Sequence, residues 1–225
     1  MGHFTESLVS YGRGHELGSK RRGWRYPSLQ WVRKTERLVE LENKQPAILQ
    51  GEASPASPGA VLALAQMCQQ HKRRHVAARL YADAFAAEPK LAAEMQQQHR
   101  YNAACSAALA AAGQGEDARM LPDKAACMFR RWALRWLRDD LTAYAKLAEQ
   151  NNTAVKQTIQ QRLAHWRRDP DLASVREPQA LDRLPENERA AWQELWHDVD
   201  ELANRLAKKD EPTRGRNETG LVGAG

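Results

Sequence analysis

Residues 58–91, PGAVLALAQMCQQHKRRHVAARLYADAFAAEPKL, constrain the fold of this chain more tightly than any other stretch. Apolar or small residues recur at three- and four-residue spacing in Val61, Leu64, Ala65 and Cys68, and again in Ala77, Leu80, Tyr81, Ala84 and Phe85. Such a period places one face of a helix against a core, and the basic break between the two runs predicts two short antiparallel helices rather than one long one. Ala65, Ala77 and Ala84 supply the short side chains that let two helices cross closely. The chain is therefore expected to be all-α, built from helical hairpins.

The flanking segments extend this plan. Residues 1–27 hold Gly2, Gly12, Gly14, Gly18 and Gly23 among polar and basic residues and read as a disordered basic tail. Their GxGxxxG spacing is one residue too long for a dinucleotide loop, and no strand precedes it, so a nucleotide site is not expected. Residues 28–57 read as a helix with Ser28 as its N-cap and Pro46 as its end, followed by the linker GEASPASPG, in which Ser57-Pro58 opens the hairpin. Residues 90–112 predict a further helix of small residues closed by Gly113 and Gly115, so that residues 58–122 form the hairpin region. Residues 123–207 predict a Trp-rich helical cap. Within it Phe129, Trp132, Trp136, Leu137, Leu141 and Tyr144 form one apolar stripe, Val155, Ile159, Leu163 and Trp166 a second, and Trp192, Trp196, Val199, Leu202 and Leu206 a third. The arginines beside the first stripe, Arg130, Arg131, Arg135 and Arg138, read as cations snorkelling from a core rather than as a nucleic-acid platform. Residues 208–225 read as a disordered tail.

Charge and cysteine usage exclude several functions. The net charge is +6, yet residues 28–207 carry 25 basic against 23 acidic side chains, so the excess sits mainly in residues 1–27. A nearly balanced surface argues against a nucleic-acid partner, and Lys20, Arg21, Arg22 and Arg25 read as part of a solvated tail, with weak nucleic-acid binding through that basic tail as the alternative. Mean hydropathy is −0.73, and no apolar run approaches the roughly 20 residues of a membrane span. The start lacks the pattern of a secretory signal, so a cytoplasmic location is expected, with Cys68, Cys105 and Cys127 as buried reduced thiols. Cys68, His71 and His75 have C-x2-H-x3-H spacing, but a structural zinc site takes four ligands and the adjacent Lys72, Arg73 and Arg74 oppose a cation. No metal and no cofactor is expected.

The spacing of Val61, Leu64-Ala65, Cys68, Ala77, Tyr81, Ala84 and Pro89 resembles the tetratricopeptide repeat, and Tyr101, Asn102, Ala103 and Ala104 resemble the start of a second, degenerate unit. Such arrays bury their faces by stacking, which assigns the Trp-rich helices the part of a cap. The phrases RYNAACSAALAAAGQGEDA, WALRWLRDDLTAY, LAHWRRDPDLASVREP and LPENERAAWQELWHDVDELA resemble, over residues 28–210, the C-terminal region of large bacterial serine/threonine protein kinases that carry these repeats. The resemblance implies a helical region that mediates contacts in phosphorylation signalling, in cis or in trans to a kinase. The chain has no GxGxxG loop, VAIK-like lysine, HRD loop or DFG, so no catalytic residue is carried over and no enzyme activity is expected. In the repeat frame the first helices of the two units present Leu62, Gln66, Gln69, Gln70, Tyr101, Asn102 and Cys105 to a protein or peptide partner. Gln, Leu and Tyr at these positions do not form a basic clamp for a terminal carboxylate.

Overall fold

Ser57 and Pro58 start the central hairpin as expected. The Ser57 hydroxyl accepts from the Ala60 amide, and Pro58 occupies the first helical turn, where its missing N–H costs nothing. The computed structural model describes residues 3–49, 57–119, 121–150 and 152–209. Among these every regular element is helical: α1 (His3–Gly18), α2 (Ser28–Leu49), α3 (Pro58–Gln70), α4 (Arg74–Ala87), α5 (Pro89–Ala93), α6 (His99–Ala111), α7 (Asp123–Ala148), α8 (Thr153–Trp166), a 3-10 turn (Pro170–Val175), α9 (Pro178–Leu181) and α10 (Glu186–Lys209). No helix among the described residues is long and apolar enough to cross a membrane. The linker at 50–56 and the tail at 210–225 lie outside the described residues.

The chain divides into two units, Met1–Leu137 and Arg138–Gly225, so the boundary expected near residue 123 moves into α7. The reason is aromatic packing. In the first half of α7, Phe129 meets the His75 ring at 5.3 Å and Trp136 meets Phe85 edge-on at 5.7 Å, which joins that half to α4.

In the first unit α3 and α4 bury the predicted stripe: Leu64, Ala65, Cys68, Ala77, Tyr81 and Ala84 are fully enclosed, and Phe85 nearly so. Phe4 and Leu38 pack against the cluster of Leu64, Met67, Cys68 and Ala77, so α1 and α2 are laid onto the hairpin. This corrects the reading of residues 1–27 as a disordered tail. Gly12 and Gly14 each cost a helix about 1 kcal/mol relative to Ala, but tertiary packing overrides propensity. A weak stripe of Phe4, Leu8, His15 and Gly18, at spacings of four, seven and three, marks the covered side. Ser28 is not the N-cap of α2. The Pro27 carbonyl accepts from the Gln30 and Trp31 amides, while the buried Ser28 hydroxyl accepts from the Trp24 indole at 3.0 Å and lies 2.8 Å from His15 Nδ1. Helix α2 also continues past Pro46 to Leu49. Loss of one amide donor does not stop the last turn, whose residues need only the acceptors behind them.

Residues 90–112 form two helices rather than one. Gln98 adopts φ 53°, which breaks the run before His99, and Gly113 at φ 70° closes α6. The loop beyond α6 folds back on the turn between α3 and α4. Glu116 donates its amide to the Lys72 carbonyl at 3.0 Å, and both oxygens of Asp117 accept, from the His75 amide at 3.2 Å and the Val76 amide at 3.0 Å. These are the second and third amides of α4, the donors that a capping side chain normally takes, and the residue preceding α4, Arg73, makes no such bond. Asp117 therefore caps a helix more than 40 residues away in sequence. Gly115 makes the approach possible: at φ 133° a Cβ would stand 2.9 Å from the Lys72 carbonyl. Asp117→Ala is expected to lower the unfolding free energy by about 1–2 kcal/mol, and Asp117→Asn by less, since one acceptor survives. Urea unfolding of the two variants checks the order.

In the second unit, Ile159, Leu163 and Trp166 of α8 are buried, as are Trp192, Leu195, Trp196, Val199, Leu202 and Leu206 of α10. Arg176 ties the connecting turns down, donating through Nη1 to the carbonyls of Trp166 and Asp169, both at 2.8 Å.

Candidate interaction surface

The seven residues expected to line a groove divide into two groups. Leu62, Tyr101 and Cys105 are buried, at 6%, 5% and 3% exposure, so they belong to the core of the first unit and present no surface. Gln66, Gln69 and Asn102 are half-buried and Gln70 is exposed. Positions 62, 66, 69 and 70 share one side of α3, but α6 is so rich in alanine that its neighbours close over Tyr101 and Cys105. Residues 103–110 of α6 are all buried.

The remaining polar residues are tied to groups that periodicity did not single out. Gln66 Nε2 lies 3.4 Å from His99 Nδ1, which brings the middle of α3 to the start of α6. The other ring nitrogen of His99 lies 3.7 Å from a Glu94 carboxylate oxygen. The His99 ring is almost enclosed, and burial holds its pKa below the ordinary value, with Glu94 acting in the opposite direction. Gln69 Oε1 accepts from the Tyr81 hydroxyl at 2.8 Å. Burial, reinforced by the Cys105 thiol, pushes the Tyr81 phenol well above its ordinary range, so it acts as a hydrogen-bond donor and not as a base.

Cys68, His71 and His75 are not assembled as ligands. Cys68 faces the core, and the His75 ring stands edge-on against Phe129. Among the described residues no group of three or more His, Cys, Asp or Glu side chains is placed to hold a metal. Burial also lowers the pKa of His75, an effect that Arg79 reinforces and Asp117 opposes.

These two histidines set a pH response. Each has a folded pKa below the unfolded value of about 6.5, so between those values the unfolded chain binds more protons. Their contribution is fully present above pH 6.5 and is lost as pH falls through the folded pKa values. The urea midpoint of the first unit is expected to drop between pH 7 and 5.5, and the drop should shrink in a His75→Gln/His99→Gln variant.

The second unit has an open cleft of about 760 Å³ lined by Leu141, Thr142 and Ala145 of α7 and by Asp198, Glu201, Leu202, Asn204 and Arg205 of α10. It offers two carboxylates and one guanidinium but no buried nucleophile and base at hydrogen-bonding distance.

The architecture defines an all-α protein. No family model, curated protein or solved structure matches this chain.

Proposed function

We propose that the chain is a non-catalytic helical scaffold that binds a protein or peptide partner across α3 and α6. The observation that carries this reading is the Gln66–His99 contact at 3.4 Å, which brings the middle of α3 to the start of α6. The arrangement leaves the Gln70 and Asn102 amides accessible. Each amide offers a donor and an acceptor, a match for the peptide groups of an extended segment. The tetratricopeptide-like spacing and the resemblance to kinase C-terminal regions support the same reading and suggest a signalling partner. A cytoplasmic setting suits buried thiols such as Cys68 and Cys105.

Affinity capture with the intact chain and a Gln70→Ala/Asn102→Ala variant tests the surface. Neither position is fully buried, so stability should stay within about 0.5 kcal/mol of the parent. A direct partner should be recovered by the parent and lose roughly tenfold in affinity, about 1.4 kcal/mol, in the variant. Equal affinity for every purified partner would remove this surface from the function. Substitution of Leu62 or Tyr101 would test folding instead, because both are core residues.

A further inference from the structure

Among the described residues, the exposed large apolar side chains all fall between residues 9 and 31. Four of them are aromatic and form a continuous row at the edge of the α1–α2 pair. Tyr11 lies 6.2 Å from Trp31, Trp31 lies 6.3 Å from Tyr26, and Tyr26 lies 5.0 Å from Trp24, measured between ring centroids. Their exposures are 46%, 41%, 64% and 36% along the row, far above those of the other tryptophans in the core. The end of the row is held in place. The Trp24 indole covers Gly18, where a Cβ would come within 2.4 Å of the ring, and its N–H is taken by Ser28.

The charge of the chain is concentrated on the same element. Residues 9–34 hold seven Lys and Arg against one Glu, leaving 27 basic and 27 acidic side chains in the remainder. Arg21, Arg22 and Arg25 alternate with Trp24 and Tyr26 in the exposed turn between α1 and α2. We propose that this hairpin binds single-stranded nucleic acid, with bases stacked on the aromatic row and phosphates held by the arginines of the turn. Rings accept any base through its π-face, and interleaved guanidinium groups follow the backbone, so recognition is by strandedness rather than by sequence. A membrane surface fits less well. Val9 and Leu29 each precede a row member by two residues, about 200° around the helix, and Leu17 follows Tyr11 by six residues, about 240°, so the exposed aliphatic side chains do not share a face with the rings. The hairpin replaces the solvated tail expected from composition, and that change gives the basic residues a fixed aromatic neighbour.

Fluorescence anisotropy with the full chain and a labelled oligothymidylate of about 15 nucleotides tests the proposal. Binding should weaken as salt rises, and the slope of log affinity against log salt should fall by about 2 in an Arg21→Ala/Arg22→Ala/Arg25→Ala variant. Tyr26→Ala should weaken binding roughly tenfold, while Tyr26→Phe, which keeps the ring, should bind like the parent. A duplex of the same length should bind more weakly than the single strand. No binding at low salt would overturn the proposal, and so would equal binding of duplex and single strand with no effect of Tyr26→Ala. Binding to phosphatidylglycerol vesicles without binding to the oligonucleotide would replace it with a lipid surface.

Discussion

Trp136→Ala is expected to lower the stability of the first unit by about 3–5 kcal/mol. The side chain is 7% exposed and stands in a run of rings that passes from Tyr81 through Phe85, Trp136, Trp132 and Phe129 to His75. Truncation removes one of the two tryptophans of that run and opens a cavity between α4 and the first half of α7, on a surface where each edge-on pair adds about 0.5–1.5 kcal/mol beyond area. Trp136→Phe should cost less than half as much, because a ring still meets Phe85. Hydrogen exchange read peptide by peptide checks the location: the amides of α4 should lose protection in the alanine variant. Unchanged exchange in α4 would remove α7 from that core.

The second large effect falls in the other unit. Trp196 is buried, donates its indole N–H to the Val175 carbonyl at 2.7 Å, and has the guanidinium groups of Arg167 and Arg176 over its ring at 5.7 and 6.0 Å. Trp196→Ala loses the packing, worth about 3–5 kcal/mol, and leaves the Val175 carbonyl without its donor, so the total should sit at the upper end of that range. Trp196→Phe keeps most of the apolar volume and should cost about 1–2 kcal/mol, mainly the unsatisfied carbonyl. Urea titrations of the two variants separate packing from the hydrogen bond. Equal losses would mean that the carbonyl carries the whole effect. Because Arg176 also holds the Trp166 and Asp169 carbonyls, the alanine variant should raise exchange in the 3-10 turn as well.

How far these features are legible before folding depends on the distance over which their cause acts. The stripes of α3, α4, α7, α8 and α10 can be read from residue spacing, because a helix repeats every 3.6 residues and its covered side must be apolar. Ser57-Pro58 and Gly113 are legible for a related reason, since a helix end needs a nearby acceptor or a left-handed residue. The candidate surface was only half legible. Of the seven residues, Gln70 is exposed and Gln66, Gln69 and Asn102 are half-buried, whereas Leu62, Tyr101 and Cys105 are covered. A repeat pattern defines which residues face a neighbouring helix, but the size of the neighbours decides whether that side stays open. His99 gave no signal in the periodicity, since its place beside Gln66 comes from the break at Gln98.

The sequence by itself determined an all-α chain, the hairpin at 58–91, its helix-starting Ser57-Pro58 pair and the tryptophan positions that become core. Each of these follows from chemistry acting within one or two turns of helix. Only the tertiary structure decided that residues 3–18 are helical, that Ser28 bonds to His15 and Trp24 instead of capping α2, that the division of the chain falls inside α7, and that Asp117 caps α4. Those outcomes depend on partners tens of residues away. Two amides at the start of α4 need acceptors and Arg73 supplies none, so the carboxylate that satisfies them comes from wherever the fold brings one close.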